Sequence, residues 1–332
     1  GQEGVYPGSN KGLVREGQEG VSGIFPLWFQ PSPVEPWRLQ SFMADEAIQE
    51  TMQTANERQV KVLAKLTNLY YRGVVSGKEI AHQAMTLYGD EFLASIIHTY
   101  RHYQLDGIVL DWIDLYEADR EEFANWVLKL SRACREYGLK LVVNISLLPD
   151  AAGGPQAGPF DLKRLGEAAD WVTLLLNTEH RMYTAPGPLS SFRWAEAGIQ
   201  HALQQGIPAQ KILLGIAGYA YDWKGSSQVP EYLSFEGAMN RARQYRVNVQ
   251  FDEKSQTPMY RYQDSSGAEH QVWFENTSSL SQKITLVNRY DLAGISLWRL
   301  GIEDPGLWPL LRSRWGAIKK WDTSFHNIYY DK

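Results

Sequence analysis

The sequence lacks the features that define several large protein classes. Cys134 is the only cysteine among 332 residues, so no internal disulfide can form. No run approaches about 20 apolar residues, so we expect no transmembrane segment, and no basic stretch followed by an apolar core marks a signal peptide in the given chain. The net charge of −5 gives no support for a nucleic-acid partner or an anionic membrane surface.

Motifs that hold cofactors are missing as well. No G-x-G-x-x-G pattern follows an apolar run, and neither a Ser-His-Asp grouping nor a phosphate-binding glycine loop stands out. His98 and His102 lie four residues apart on a predicted helix, but no third ligand accompanies them. We therefore expect neither a cofactor nor a metal.

The residues that are present predict an α/β fold. Short apolar, β-branched runs alternate with longer segments of helical periodicity, which is typical of parallel strands joined by helices. Eight such runs predict a (β/α)8 barrel. The runs cover residues 4–7, 21–29, 60–68, 106–113, 139–146, 171–176, 212–219 and 294–300, with helices predicted at 45–58, 90–102, 119–137 and 192–205.

The interval between the last two predicted strands is longer than one helix and two loops require. Residues 224–290 contain a helical stretch near 234–245, alternating segments, and a turn at 264–267 that is typical of a hairpin. We predict a small α+β insertion on the C-terminal rim of the barrel, where it can wall a cleft. Residues 1–332 are thus expected to form one barrel domain that carries this insertion.

The segment LDGIVLDWID resembles the signature strand of glycoside hydrolase family 18, which reads DGxDxDxE. Asp106 and Gly107 match the start of the signature, and Asp111 matches its second acidic position. Val109 stands at the first acidic position, and Ile113 replaces the glutamate. The chain therefore resembles the family with a degenerate catalytic motif.

The resemblance extends over nearly the whole chain. The segments that carry it are similar to the bacterial branch that includes spore-cortex N-acetylglucosaminidases, in which an insertion between the last two strands is expected. They read GIFPLWF, KVLAKLTN, PGP, KILLGIAGYAYDW, HQVWFE and GISLWRLGIEDPGLW.

The family's chemistry depends on the residues that are replaced here. The resemblance implies a substrate-assisted mechanism, in which the sugar's acetamide oxygen attacks the anomeric carbon, the glutamate protonates the leaving oxygen, and the neighbouring aspartate orients the acetamide. Positions 109, 111 and 113 share one face of the strand. Isoleucine cannot donate a proton. The family's sixth strand usually carries Met-x-Tyr-Asp, but Asn177 and Thr178 stand in place of the Tyr-Asp pair.

Candidate site residues lie at the ends of predicted strands. The resemblance implies that Asp111 orients the acetamide and that Trp298 forms the floor under the sugar at the cleavage point. Asp114 has the opposite strand parity, so it could act as a displaced acid only if the strand ends or bulges at Ile113. Glu117 lies farther into the loop. Further substrate-binding candidates, for whose tryptophans core packing is an equal alternative, are Trp28, Trp112, Asn144, Asn177, Tyr219 and Trp223.

Three functions remain open on the sequence. The preferred hypothesis is a chitinase-like protein that binds N-acetylglucosamine-containing glycan, either chitin or peptidoglycan, with lost or strongly reduced glycosidase activity. The second is an active family 18 hydrolase that uses a displaced acid such as Asp114. The third is an interaction scaffold of the cell envelope or spore coat. The resemblance implies a secreted, envelope or spore-associated location, and the sequence fixes neither the glycan nor the oligomeric state.

Overall fold

A computed structural model describes residues 23–315 and the backbone of a strand at 327–331. The predicted strand at 4–7 lies outside the described residues. Numbered in chain order, the strands are β1 (Gly23–Phe25), β2 (Leu27–Pro31), β3 (Leu39–Ser41), β4 (Lys61–Thr67), β5 (Gly107–Asp111), β6 (Lys140–Ser146), β7 (Leu148–Pro149), β8 (Pro155–Gln156), β9 (Trp171–Leu175), β10 (Ile212–Ala217), β11 (Tyr219–Lys224), β12 (Glu231–Ser234), β13 (Gln250–Asp252), β14 (Thr257–Gln263), β15 (Glu269–Trp273), β16 (Gly294–Trp298) and β17 (Asn327–Asp331). The helices are α1 (Asp45–Arg58), α2 (Gly77–Thr86), α3 (Gly89–His102), α4 (Arg120–Glu136), α5 (Leu162–Ala168), α6 (Phe192–Gln204), α7 (Phe235–Gln244), α8 (Thr277–Arg289) and α9 (Leu307–Trp315).

Parallel strand pairings run in a ring, and the predicted (β/α)8 barrel is confirmed. The order is β1, β4, β5, β6, β9, β10, β16 and β17, and β17 pairs in turn with β1. Strand β2 continues β1 beyond Pro26 and also pairs in parallel with β4. The ring includes one strand that was not predicted. The predicted last strand, 294–300, corresponds to β16, and β17 follows it in the ring and lies between β16 and β1.

Two apolar layers hold the barrel together, because successive strand residues point to opposite faces. Even-numbered residues of β4 and β5, such as Val62 and Ile108, belong to the core between strands and helices. The other face fills the barrel interior. That inner cluster contains Phe25, Leu63, Val109, Val142, Trp171 and Leu213.

The helices cover the outside of the barrel with amphipathic faces. In α4, Phe123, Val127, Leu130 and Cys134 are buried at helical spacing, while acidic residues occupy the first turn, where the helix dipole favours them. Burial raises the pKa of the Cys134 thiol to about 12, so this cysteine is a neutral core residue. Each helix between residues 23 and 315 is too short or too polar to cross a bilayer.

The segment between β10 and α8 forms a separate antiparallel sheet. Its strand order is β12, β11, β15, β14, β13, and helix α7 packs against it. The sheet begins at Tyr219, earlier than the predicted boundary of 224, while α8, inside the predicted 224–290, lies against β16 and α6 of the barrel. A hairpin turn joins β14 to β15, with Gly267 N–H donating to the Asp264 carbonyl at 2.9 Å.

A buried ionic cluster joins the inner strands of this sheet to α7. Asp222 on β11 is 2% exposed. Its carboxylate accepts hydrogen bonds from the Arg241 guanidinium at 2.5 Å and the Tyr262 hydroxyl at 2.6 Å, and it lies 2.7 Å from His270 Nδ1. Since a buried carboxylate is stable only when it is paired, this cluster holds β11 and its neighbours in one arrangement.

Candidate functional site

A cavity of about 830 Å³ opens at the carboxyl ends of the barrel strands. Barrel enzymes place their sites at this end, and the volume is typical of a small-molecule site. Its lining comes from β4, β5, β6, β9 and β16, from the loops that follow them, and from the antiparallel sheet. The cavity is therefore the candidate site.

Asp111, the last residue of β5, lies at the bottom of this cavity and is 4% exposed. Its carboxylate accepts hydrogen bonds from Thr67 Oγ1 at 3.1 Å and from Asn144 Nδ2 at 2.8 Å. Lys65 Nζ lies 4.0 Å from the same carboxylate. These partners stand on β4 and β6, which flank β5, so the strand order of the barrel fixes the position of this buried charge.

Ile113 is half-buried and lines the same cavity two residues beyond Asp111. This is the position at which the family signature has its proton donor. The residue at the first acidic position, Val109, is fully buried in the apolar barrel interior below the cavity. The signature strand thus presents one carboxylate, Asp111, and no acid at the end of the motif.

Two other carboxylates, Asp114 and Glu117, also line the cavity. Strand β5 ends at Asp111, so strict alternation no longer applies and Asp114 reaches the cavity together with Ile113. The Asp114 side chain is 39% exposed, and its Oδ1 lies 3.8 Å from Lys78 Nζ. Residues 23–315 contain no group of His, Cys, Asp and Glu side chains that could hold a metal ion.

Tyrosines form one wall of the cavity. Tyr219 and Tyr221 come from β11 and Tyr232 from β12, and the rings of Tyr219 and Tyr232 stack at 4.9 Å. The Tyr219 hydroxyl accepts a hydrogen bond from Asn177 Nδ2 at 3.0 Å. Burial raises the pKa of Tyr219 well above its ordinary value and that of Tyr232 to about 12. These hydroxyls are therefore neutral at physiological pH and can both donate and accept hydrogen bonds.

Three tryptophans predicted as binding candidates lie in cores instead. Trp112 is fully buried and stacks on Trp126 at 4.8 Å, because it directly follows Asp111, the last residue of β5, and points to the opposite side, toward the helices. Trp28 is 3% exposed and belongs to the same outer core. Trp223 is fully buried among residues of the antiparallel sheet. Of the two alternatives that the sequence left open for these tryptophans, the structure shows core packing, so they are not carried forward as substrate-binding residues.

Other predicted residues do come together at the cavity. Trp298, Asn177 and Tyr219 line it with Asp111 and Asp114, whereas Asn144 supports Asp111 from below without lining the cavity. Lys65 also lines the cavity and was not predicted, although a lysine inside the apolar strand KVLAKLT is a signal in the sequence. The other lining residues that were not predicted include Tyr221, Tyr232, Arg181 and Tyr183.

The comparisons with known proteins agree with the geometry. The family model for glycosyl hydrolases family 18 matches residues 47–303. The Bacillus subtilis (strain 168) protein YdhD is 27% identical over 265 residues, which are 78% of this chain and 62% of that protein. The cortical fragment-lytic enzyme of the same organism is 28% identical over 235 residues, 69% of this chain and 54% of the enzyme.

The chain thus spans little more than half the length of these relatives. A crystal structure of a chitinase from Chromobacterium violaceum ATCC 12472 superposes with a TM-score of 0.84 at 24% identity, covering 95% of this chain and 98% of the chitinase chain. That likeness shows a common fold. Since the family match includes β5 and the strand ends that line the cavity, the resemblance is confirmed, and the chain belongs to the glycosyl hydrolases of family 18.

Proposed function

We propose that this chain binds N-acetylglucosamine-containing polymers, chitin or peptidoglycan, in the cavity and has lost most or all glycosidase activity. The observation that carries the proposal is the position of Ile113 on the cavity wall, where the family signature has its proton donor. The binding space is kept while the acid is replaced. Such a protein is a pseudoenzyme that retains a glycan site.

The loss of activity follows from the chemistry of the remaining residues. Substrate assistance supplies the nucleophile from the acetamide of the sugar, but it does not supply the proton that the leaving oxygen needs. Asp111 is held in place by hydrogen bonds from Thr67 and Asn144, but a carboxylate fixed in this way two residues before Ile113 does not replace the missing proton donor. The absence of a positioned acid typically lowers the rate by ~10²- to 10⁴-fold.

Continued binding is supported by the cavity wall. Aromatic carbons of Tyr221 and Tyr232 offer apolar faces, and the neutral hydroxyls can hydrogen-bond to sugar hydroxyls and acetamides. At the rim, Tyr183 is 73% exposed and still lines the cavity. The names of the similar proteins, a chitinase, a cortical fragment-lytic enzyme and a sporulation-specific glycosylase, support these two polymers and a secreted or spore-associated location.

An active hydrolase with a displaced acid is the second candidate function. It is favoured by one observation, the presence of Asp114 and Glu117 on the cavity wall. Asp114 is partly exposed beside Lys78, and Glu117 begins a short 3-10 helix, Glu117–Asp119. Either carboxylate could act as the acid only if a bound glycan places its scissile oxygen within hydrogen-bond reach.

We expect Tyr183→Ala to weaken binding of N-acetylglucosamine oligomers by about fivefold to tenfold, because it removes an exposed aromatic surface from the cavity rim. Isothermal titration calorimetry with chitin and peptidoglycan oligomers measures the change. Tyr137→Ala is the matched control. Tyr137 is 43% exposed and lies under Arg101 at the other end of the barrel, before β6.

Binding by the Tyr137→Ala variant should equal that of the wild type. Equal affinities for both variants would show that Tyr183 does not contact the glycan. If the wild type binds neither chitin nor peptidoglycan oligomers, the glycan-binding proposal is wrong and the interaction scaffold becomes the better account.

A further inference from the structure

Lys65 is a buried cation inside the barrel. Its side chain is 3% exposed, although it lines the floor of the cavity. On β4 it stands between Leu63, which belongs to the apolar inner cluster, and Thr67, which donates to Asp111. Taking an ammonium group out of water is costly, so a lysine at this level of the barrel requires compensating contacts.

Those contacts lie where a sugar would sit. Lys65 Nζ is 4.3 Å from the centroid of the Trp298 ring and 4.0 Å from Asp111 Oδ2. The Trp298 side chain also packs against the small apolar cluster of Leu189, Ala217 and Tyr219. A stacked ring would lie roughly 3.5–4.0 Å above the indole, a distance set by van der Waals contact. Lys65 already occupies that layer.

The register of β4 against β5 explains why Lys65 lies near Asp111. Lys65 is the register partner of Val109, and Thr67 is the partner of Asp111. Val109 stands at the first acidic position of the signature strand, so Asp111 is the one carboxylate that β5 presents at the cavity. The ammonium of Lys65 lies near it on the adjacent strand. The charge of Asp111 is therefore balanced within the protein, with no ligand needed.

We infer that Lys65 is a specificity-determining residue that closes the innermost sugar site by filling the space over Trp298 beside Asp111. A glycan then binds along the outer part of the cavity, against the tyrosine wall, and its rings do not stack on Trp298. The inference rests on the proposed glycan-binding function. It goes further by stating which part of the cavity the glycan uses.

The test separates the volume of the side chain from its charge. Lys65→Ala removes both, whereas Lys65→Met keeps a side chain long enough to cover Trp298 and removes only the charge. Because either change leaves Asp111 without its cation, both are also made in an Asp111→Asn background and compared within that background. Thermal unfolding establishes that each variant is folded, and titration calorimetry with chitin oligomers of increasing length gives the affinities.

We expect Lys65→Ala to bind oligomers about tenfold more tightly than Lys65→Met, because alanine leaves the indole face of Trp298 open to a stacked sugar ring, whereas methionine still covers it. Adding Trp298→Ala should abolish that gain. In the wild type, where the indole face is already covered, Trp298→Ala should change the affinity little. This pattern would support closure by the lysine side chain.

Two results would overturn the inference while leaving the proposed function intact. If Lys65→Ala and Lys65→Met both weaken binding, the ammonium contacts the glycan and does not exclude it. If neither change alters affinity in either background, Lys65 serves only as the counter-ion of Asp111. Absence of binding by the wild type and by every variant, including Lys65→Ala, would contradict both the proposed function and the closure.

Discussion

Wild-type protein should turn over N-acetylglucosaminyl substrates ~10²- to 10⁴-fold more slowly than a chain with a positioned acid on the signature strand. The cause is Ile113, which lines the cavity at the donor's position and has no proton to give. Chromophore release from aryl N-acetylglucosaminides and product analysis with oligomers measure the turnover. Ile113→Glu should recover activity in part at most.

Full recovery is not expected, because the surroundings of the donor have changed as well. Val109 replaces a neighbouring acid, Lys65 pairs with Asp111, and Asn177 stands in the region of the missing Tyr-Asp pair. A general acid depends on such neighbours for its protonation state and position. An Ile113→Glu variant that is as inactive as the wild type is therefore compatible with a lost acid, whereas an active wild type is not.

A series of carboxylate variants identifies the acid if the wild type is active. Asp114→Ala and Glu117→Gln each remove one cavity carboxylate, while Asp90→Ala removes a surface carboxylate that is 87% exposed and serves as the control. Robust wild-type turnover that Asp114→Ala abolishes and Asp90→Ala leaves intact would establish a displaced acid. The pseudoenzyme proposal would then be wrong.

The second large effect concerns stability. Lys283→Met should lower the free energy of unfolding by about 3–5 kcal/mol, because it leaves Glu275 buried without its cation. The two charged groups lie 2.7 Å apart, and each side chain is 2% exposed. Glu275 follows β15 and Lys283 belongs to α8, so the pair joins the antiparallel sheet to a barrel helix. Urea unfolding measures the loss.

Two further variants make this test specific. Lys283→Met combined with Glu275→Leu removes both charges and should lose less stability than Lys283→Met alone. Lys129→Met breaks an exposed pair with Asp90, whose side chains are 59% and 87% exposed, and should cost at most about 1 kcal/mol. Equal losses for Lys283→Met and Lys129→Met would show that burial of the Glu275 pair has no special effect.

Much of the barrel was predictable because its strands are buried on both faces. Such strands appear in a sequence as continuous apolar runs, and the predicted runs at 60–68 and 139–146 agree with β4 and β6 to within one residue at each end. The segment 212–219 was less clear. It contains all of β10 and the first residue of β11, where the chain leaves the barrel for the antiparallel sheet, and no turn residue other than Gly218 marks the change.

The site was predictable only where strand periodicity decides the outcome. Asp111 and Ile113 line the cavity as their spacing indicates. Trp112 lies between them in the sequence, so the same alternation directs its side chain away from the cavity, toward the helices. Tyr232 could not be found this way, because it reaches the wall through the pairing of β12 with β11, in which Tyr221 faces Tyr232. Such a contact depends on tertiary register, which local sequence does not specify.

We propose that this family 18 barrel holds a glycan with no acid beside its glycosidic bonds. A crystal structure of the wild type soaked with N-acetylglucosamine oligomers would show both the glycan and the groups around each glycosidic oxygen. We predict oligomer density along the tyrosine wall of the cavity, with no carboxylate oxygen within about 3.2 Å of any glycosidic oxygen. Density that places an Asp114 or Glu117 oxygen at that distance, or cleaved product in the cavity, would contradict the account.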